Sequence, residues 1–245
     1  MPGYPEPRLL PCGDRAVSVE LGDEISREVN ARVLALDYLI QREAPRGVTE
    51  TVPSFRSLLV YYDPSVVSYE DLAAALHALA SRARPDALPP ARTVELPCCY
   101  DAELGFELDE AAARLGLAPE EVVRLHAGVE YYVDFVGFTP GLPYLSGMPE
   151  RLFIPRLETP RVKTPPGSVS IGGMQCCIYS VESPGGFWVL GRTPVRLYDP
   201  TAADPILLRA GDRVRFRVID RAQFDAIAAA VAAGNYRPRI DPPPS

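Results

Sequence analysis

The residues best suited to chemistry crowd into one stretch of the chain. Between Thr139 and Gly167 the sequence reads TPGLPYLSGMPERLFIPRLETPRVKTPPG, which sets Arg156 and Arg161 each directly after a proline. Proline fixes φ and lowers the entropy lost on ordering, so a guanidinium on such backbone is held ready to grip a carboxylate or phosphate with both arms. Lys163, the only lysine in the sequence, adds a compact charge nearby. The following PPGSVSIGG leaves the backbone N–H groups around Gly167 and Ser168 free of bulky side chains, which predicts an anion-binding nest. A second glycine-rich run, ESPGGFWVLGRTP, supplies Gly185, Gly186, Arg192 and Thr193. Together these residues describe a rigid platform that holds a small anionic molecule against a sheet. The alternative is that the arginines pair with Asp and Glu on an acidic surface. Trp188 reads as core. His126 and Tyr144 are the candidates for proton transfer, and His126, at the end of a helical hairpin, reads first as a packed structural residue.

Several chemistries are missing from the pattern. No G-x-x-x-x-G-K-[ST] loop occurs, so a nucleotide has to be bound by another mode or by a partner. The five cysteines, Cys12, Cys98, Cys99, Cys176 and Cys177, show no C-x-x-C spacing and the chain has two histidines. Neither a zinc site nor a disulfide framework is expected, and no metal ligands are assigned. A net charge of -7 and a pI near 5.0 oppose attraction to phosphate backbones. The segment LDEAAARLGLAPEEVVRLH resembles a helix-turn-helix in outline, but its second helix opens on Glu120 and Glu121 and would aim carboxylates at phosphates. Nucleic acid is therefore not expected as a partner. No apolar run reaches the ~18 residues a membrane span needs, and the opening MPGYPEPRLL lacks the regions of a signal peptide, so a soluble cytoplasmic protein is expected.

The elements that position these residues fall into two groups. Over the first ninety or so residues the pattern is strand, helix, strand, strand, helix, strand. AVSVEL alternates Val17, Val19 and Leu21, and a helix carries Ile25, Val29, Val33, Leu36 and Ile40 at helical spacing. VTETV and RSLLVYYD form a pair of strands, a second helix starts at Ser68, and RTVELP is read as the closing strand. That order predicts a ferredoxin-like α/β sandwich in an α+β protein. From Tyr131 onward short strands punctuated by Gly and Pro predict a closed β-barrel or sandwich, with Val214, Phe216 and Val218 alternating along the last strand. A helix over RAQFDAIAAAVAAG stops at Gly234. The expected division is residues 1–92, 93–235 and an extended tail, 236–245.

The run GFTPGLPYL…IPRLETPRVKTPPGSVSIGGMQCCIYSVESPGGFWVLGRTP resembles the 5-oxoprolinase B-subunit family, also described as KipI-like, allophanate hydrolase subunit 1, or carboxyltransferase subdomains C and D. The resemblance implies an N-terminal α+β domain followed by a cyclophilin-like barrel. It also implies work in a complex with a C-type subunit, KipA-like, and an A-type one, which together hydrolyse 5-oxoproline to glutamate with ATP. The family pattern GF-x-PGF-x-YL falls on Gly137, Phe138, Pro140, Gly141, Tyr144 and Leu145, with Leu142 in place of an aromatic. The two Pro-Arg pairs match Arg156 and Arg161, VPAGSVAIAG appears as TPPGSVSIGG around Gly167 and Ser168, and SPGGW-x-x-IGRTP ends on Arg192 and Thr193. QTGIYP becomes Gln175, Cys176, Cys177, Ile178, Tyr179 and Ser180, which exchanges a hydroxyl and a glycine for two thiols. Arg156, Arg161, Lys163 and Arg192 are then the groups expected to stabilise an anionic, phosphorylated lactam. Two further roles are implied within the same family: an inhibitor that binds the dimerisation helices of a histidine kinase, and a part of biotin-dependent urea carboxylase.

Overall fold

Ser26 starts the first helix because its hydroxyl oxygen accepts the Val29 N–H at 3.1 Å, and Ser68 does the same for the second by accepting from Asp71 N at 3.1 Å. The computed structural model containing these caps describes residues 3–241. The chain falls into two compact units, Met1–Pro90 and Ala91–Ser245.

The first unit runs β1 (Arg8–Pro11), β2 (Ala16–Glu20), α1 (Arg27–Glu43), β3 (Val48–Pro53), β4 (Ser57–Tyr62) and α2 (Tyr69–Arg82). Its sheet is antiparallel throughout, in the order β1-β2-β4-β3. Val17, Val19, Leu58 and Val60 on one sheet face pack with Val29, Val33, Leu36 and Ile40 of α1 and Leu72, Leu76 and Leu79 of α2. Ile25 is an exception to the predicted helical stripe: it precedes the cap and is half exposed.

One expectation fails here. RTVELP does not close this sheet; its place at the β2 edge is taken by β1, which reaches it through a tight hairpin in which Cys12 N bonds Ala16 O at 2.8 Å. A hairpin is a local connection with little loop entropy, so it wins the edge over a strand some seventy residues away.

The second unit runs β5 (Thr93–Cys99), α3 (Leu108–Leu115), α4 (Pro119–Ala127), β6 (Glu130–Val136), β7 (Pro143–Ser146), β8 (Arg161–Thr164), β9 (Ser168–Gly172), β10 (Gln175–Ile178), β11 (Ser183–Gly185), β12 (Trp188–Arg192), β13 (Arg213–Ile219), α5 (Arg221–Ala232) and β14 (Arg239–Asp241). The strand order β12-β9-β10-β7-β6-β13-β5 closes on itself through the pair Arg192↔Cys99, giving a seven-stranded barrel. The α+β class with a closed barrel is therefore as expected. RTVELP belongs to this barrel as β5, parallel to β13 along its whole length. Near the end of the described residues β14 pairs antiparallel with the start of β5. Pro242 to Ser245 lie outside the described residues.

Side chains alternate in and out of the barrel. Val169, Ile171, Cys176, Ile178, Trp188 and Leu190 point into the core with Val94, Leu96, Val214 and Phe216. Val218, the third member of the predicted alternation, is about half exposed instead. Ser168, Ser170, Cys177 and Tyr179 fall on the opposite, outer face. A two-stranded ribbon of β8 and β11 contributes Thr164 and Ser183 as a cross-strand pair, both buried. The stretch Thr139–Gly167, which shows no sustained period in sequence, is pinned by β7, β8, a 3-10 turn over Glu150–Leu152 and a bridge between Ile154 and Gly173. Leu142, Leu145, Leu152 and Ile154 are its buried anchors. Among the described residues no helix is long and apolar enough to cross a membrane.

Candidate functional site

Two of the clefts on the barrel unit gather some of the residues grouped by sequence. The first, of about 140 Å³, is lined by Phe138, Leu142, Tyr144, Arg156, Cys177, Tyr179, Pro184, Gly185, Gly186 and Phe187. β7 and β10 place Tyr144 and Cys177 side by side as cross-strand partners. Arg156 reaches over the Phe187 ring, its guanidinium carbon 4.6 Å from the centroid. Among the described residues it has no carboxylate partner, so it offers a cation above a wall of neutral groups. Burial raises the pKa values of the Cys177 thiol and of the Tyr144 and Tyr179 phenols, and these groups stay uncharged at neutral pH. Tyr144 is fixed by a stacked contact with Phe135, rings 4.5 Å apart.

Two backbone features shape this cleft. Phe138 has φ 68, a left-handed conformation that costs an aromatic residue of order 1–3 kcal/mol, and its ring is exposed at the rim. Gly185 has no room for a side chain: a Cβ there would lie 2.1 Å from the Tyr179 hydroxyl oxygen and 2.7 Å from Thr164 Oγ1. Phe138, Cys177, Tyr179 and Phe187 were not selected from sequence as site residues. The position of Phe138 between Gly137 and Thr139, in a run that turns sharply at Pro140 and Gly141, was the available signal.

The second cleft, about 310 Å³, gathers Gly167, Ser180, Arg192 and Thr193 against α5. Pro140 stands near its rim as the acceptor for Ser180 Oγ at 2.5 Å, and Gly141 turns at φ 75, buried against Tyr198 and Leu197.

The remaining sequence candidates are engaged with other parts of the fold. Arg161 is not an exposed gripping group: its side chain is 18% exposed, and it donates to Glu107 Oε1 at 2.5 Å and to Phe187 O at 2.5 Å. Glu107, absent from the sequence reading, also accepts Val189 N–H at 2.7 Å, so the pair ties the loop before α3 to β8 and β12. Lys163 pairs with Glu182 at 3.0 Å on the surface. The predicted nest at Gly167 and Ser168 is spent internally, because Gly167 N bonds Tyr179 O at 2.6 Å and Ser168 N bonds Pro165 O at 3.3 Å. Ser168 is fully buried. Gln175 opens β10 opposite Gly172 in a hairpin.

His126 sits in the barrel core with no exposed surface. Its Nδ1 is 2.8 Å from the Tyr100 hydroxyl and its Nε2 3.5 Å from Cys176 Sγ, with Tyr131 and Phe216 against the ring. Burial depresses its pKa to about 3, which keeps the imidazole neutral and makes it a packing and hydrogen-bonding residue. Neither cleft includes it. Trp188 is core as expected, its indole N–H donating to Pro155 O at 2.8 Å.

A helix-backed antiparallel sheet followed by a closed barrel with a cation-bearing cleft on its wall defines an α+β protein of two units. The chain belongs to the family of the carboxyltransferase domain, subdomains C and D, whose model matches residues 7–208. It is 38% identical over 224 residues to the 5-oxoprolinase B subunit of Bacillus subtilis (strain 168), a match covering 87% of this chain and 93% of that one. The solved structure of TTHA0988 shares 38% identity and a TM-score of 0.77 over 84% of this chain, which corresponds to 40% of that protein's length. The urea amidolyase of K. lactis shares the fold, with a TM-score of 0.81 and 22% identity over 98% of this chain and 17% of that one.

Proposed function

We propose that the chain is the B-type subunit of a complex that opens 5-oxoproline to glutamate at the expense of ATP, and that the Arg156 cleft holds the substrate's anionic group. The observation that carries this reading is a guanidinium without a carboxylate partner among the described residues, set over neutral phenol and thiol groups, in a chain 38% identical to a 5-oxoprolinase B subunit. Opening the lactam breaks its C–N bond as water adds to the ring carbonyl. Activation by phosphate transfer from ATP makes that carbonyl carbon electrophilic and adds negative charge. Arg156 neutralises such charge as it develops, and the neutral Tyr144 phenol is a hydrogen-bond donor within the same cleft.

ATP itself belongs to another part of the complex in this reading. The cleft of about 140 Å³ is well below the roughly 300–1,000 Å³ of ordinary ligand pockets, and the adjoining cleft of about 470 Å³ that Arg156 also borders carries the acidic Glu158 in its wall. Lys163 is engaged with Glu182, and the amides around Gly167 are engaged with backbone, so no cradle for a triphosphate is formed there. The partners proposed are the family's C-type and A-type subunits. Amide-processing relatives favour this role over inhibition of a histidine kinase.

The test is reconstitution with the cognate C-type and A-type subunits, with ATP turnover read against 5-oxoproline and against urea. Turnover should require all subunits and 5-oxoproline, and Arg156→Met should raise KM or abolish turnover without changing the melting temperature. Turnover driven by urea alone, lactam opening by the isolated chain, or an Arg156→Met complex as active as wild type would each refute the assignment.

A further inference from the structure

We propose that the chain carries a second small-molecule site, at Arg192, that takes a monocarboxylate with an apolar body. It shares no lining residue with the Arg156 cleft, so it stands apart from the lactam reading. Arg192, Gly167 and Ser180 form one side and Phe224, Ala228 and Val231 of α5 the other, around about 310 Å³. That volume lies at the lower end of the roughly 300–1,000 Å³ typical of ligand pockets.

The charge of Arg192 is unspent. Its Nε donates to Pro166 O at 2.7 Å, while its two terminal nitrogens have no protein acceptor among the described residues and no carboxylate lies within ion-pair distance. This contrasts with the other cation lining the cleft, Arg196, which pairs with Asp199 at 3.1 Å. Arg192 is also partly withdrawn from water, and burial disfavours its charge. A planar fork held at Nε, with both arms free and partly desolvated, matches the two oxygens of a carboxylate.

The ligand's class follows from the walls. One free guanidinium neutralises one negative charge. The last turn of α5, including Val231 and Ala232, faces the cleft, and the partial negative charge of a helix C-terminus opposes a dianion such as phosphate. Opposite the cation, Phe224, Ala228 and Val231 offer hydrocarbon, which favours an apolar body over a polar one. Ser168, the cross-strand partner of Arg192, shares its face of the sheet and brings a buried hydroxyl that has no hydrogen-bond partner among the described residues.

The experiment is an NMR titration of the isotope-labelled full chain with cyclopentanecarboxylate, its neutral amide and inorganic phosphate. Cyclopentanecarboxylate should produce saturable shifts at the Gly167 and Thr193 amides and at Arg192 Nε–H, with affinity at least tenfold above the amide and phosphate. Arg192→Gln should weaken binding at least tenfold. Ala232→Trp, at an exposed position of α5, should close the cleft and do the same while leaving the guanidinium in place, and it serves if Arg192→Gln fails to fold. Equal binding of the amide, tighter binding of phosphate, shifts centred on Tyr144 and Gly186, or full affinity in Ala232→Trp would each overturn the proposal.

Discussion

Removing Arg161 should unfold the barrel more easily, not merely silence a binding site. Its side chain is 18% exposed and that of Glu107 14%, so the pair lies largely out of water. Breaking a buried pair from one side typically costs about 3–5 kcal/mol, because the remaining charge is left uncompensated. The two halves are not equal here. In Arg161→Ala, Glu107 keeps the Val189 N–H at 2.7 Å, which places the loss near the lower end, about 3 kcal/mol. In Glu107→Ala the guanidinium keeps Phe187 O and the Phe106 ring but no carboxylate, which places the loss nearer about 5 kcal/mol. The double variant should lose less than the sum of the two, with a coupling of about 2 kcal/mol or more. Urea unfolding followed by fluorescence is the assay, and it reports on this unit specifically because Trp188 is the only tryptophan and lies in the barrel core. A loss under ~0.5 kcal/mol for Arg161→Ala, as expected of a solvated pair, would refute the reasoning.

His126 gives the barrel an acid-sensitive core. Its folded pKa of about 3 lies below the ~6.5 of an unfolded chain, so its contribution is complete above about pH 7 and falls by up to ~1.4 kcal/mol per pH unit as pH drops toward 3; His126→Gln should flatten that part of the stability profile, and an unchanged slope would contradict it. Gly167→Val should cost several kcal/mol, since φ is 82 and a Cβ would stand 2.3 Å from Thr193 O, and a melting temperature within ~2 °C of wild type would show that the turn relaxes. Phe138→Gly should leave stability unchanged or raise it by about 1 kcal/mol through relief of left-handed strain while weakening any ligand of the Arg156 cleft; a large loss of stability would mean that the ring is a packing residue.

The barrel was legible in sequence because its strands alternate, as in Val214 and Phe216, and because Gly and Pro mark their ends. Both helices of the first unit were legible from their apolar stripes, and the start of the second from Ser68, whereas Ile25 falls before the Ser26 cap of the first. What sequence does not encode is competition for an edge: RTVELP reads as a strand in either unit, and only the local hairpin to β1 decides which sheet it joins. The site was half legible. Pro-Arg identifies stiff backbone beneath Arg156 and Arg161 alike, yet one cation meets an open cleft and the other meets Glu107, a partner 54 residues away. At Gly167 a side chain is excluded by a positive φ of 82 and by the Thr193 carbonyl, neither of which the local sequence displays. The amides beside it looked available because the backbone acceptors that consume them, Tyr179 O and Pro165 O, depend on tertiary folding for the first and on a tight turn for the second.

The pairing of β14 with β5 covers part of a strand edge. β5 is hydrogen-bonded to β13 on one side, but on the other side the barrel seam meets it only at Cys99, opposite Arg192. The open N–H and C=O groups from Thr93 to Glu95 are covered by Arg239, Ile240 and Asp241. A bare strand edge recruits strands from other molecules. Those three residues therefore occupy the very groups to which a strand from another copy would otherwise bond.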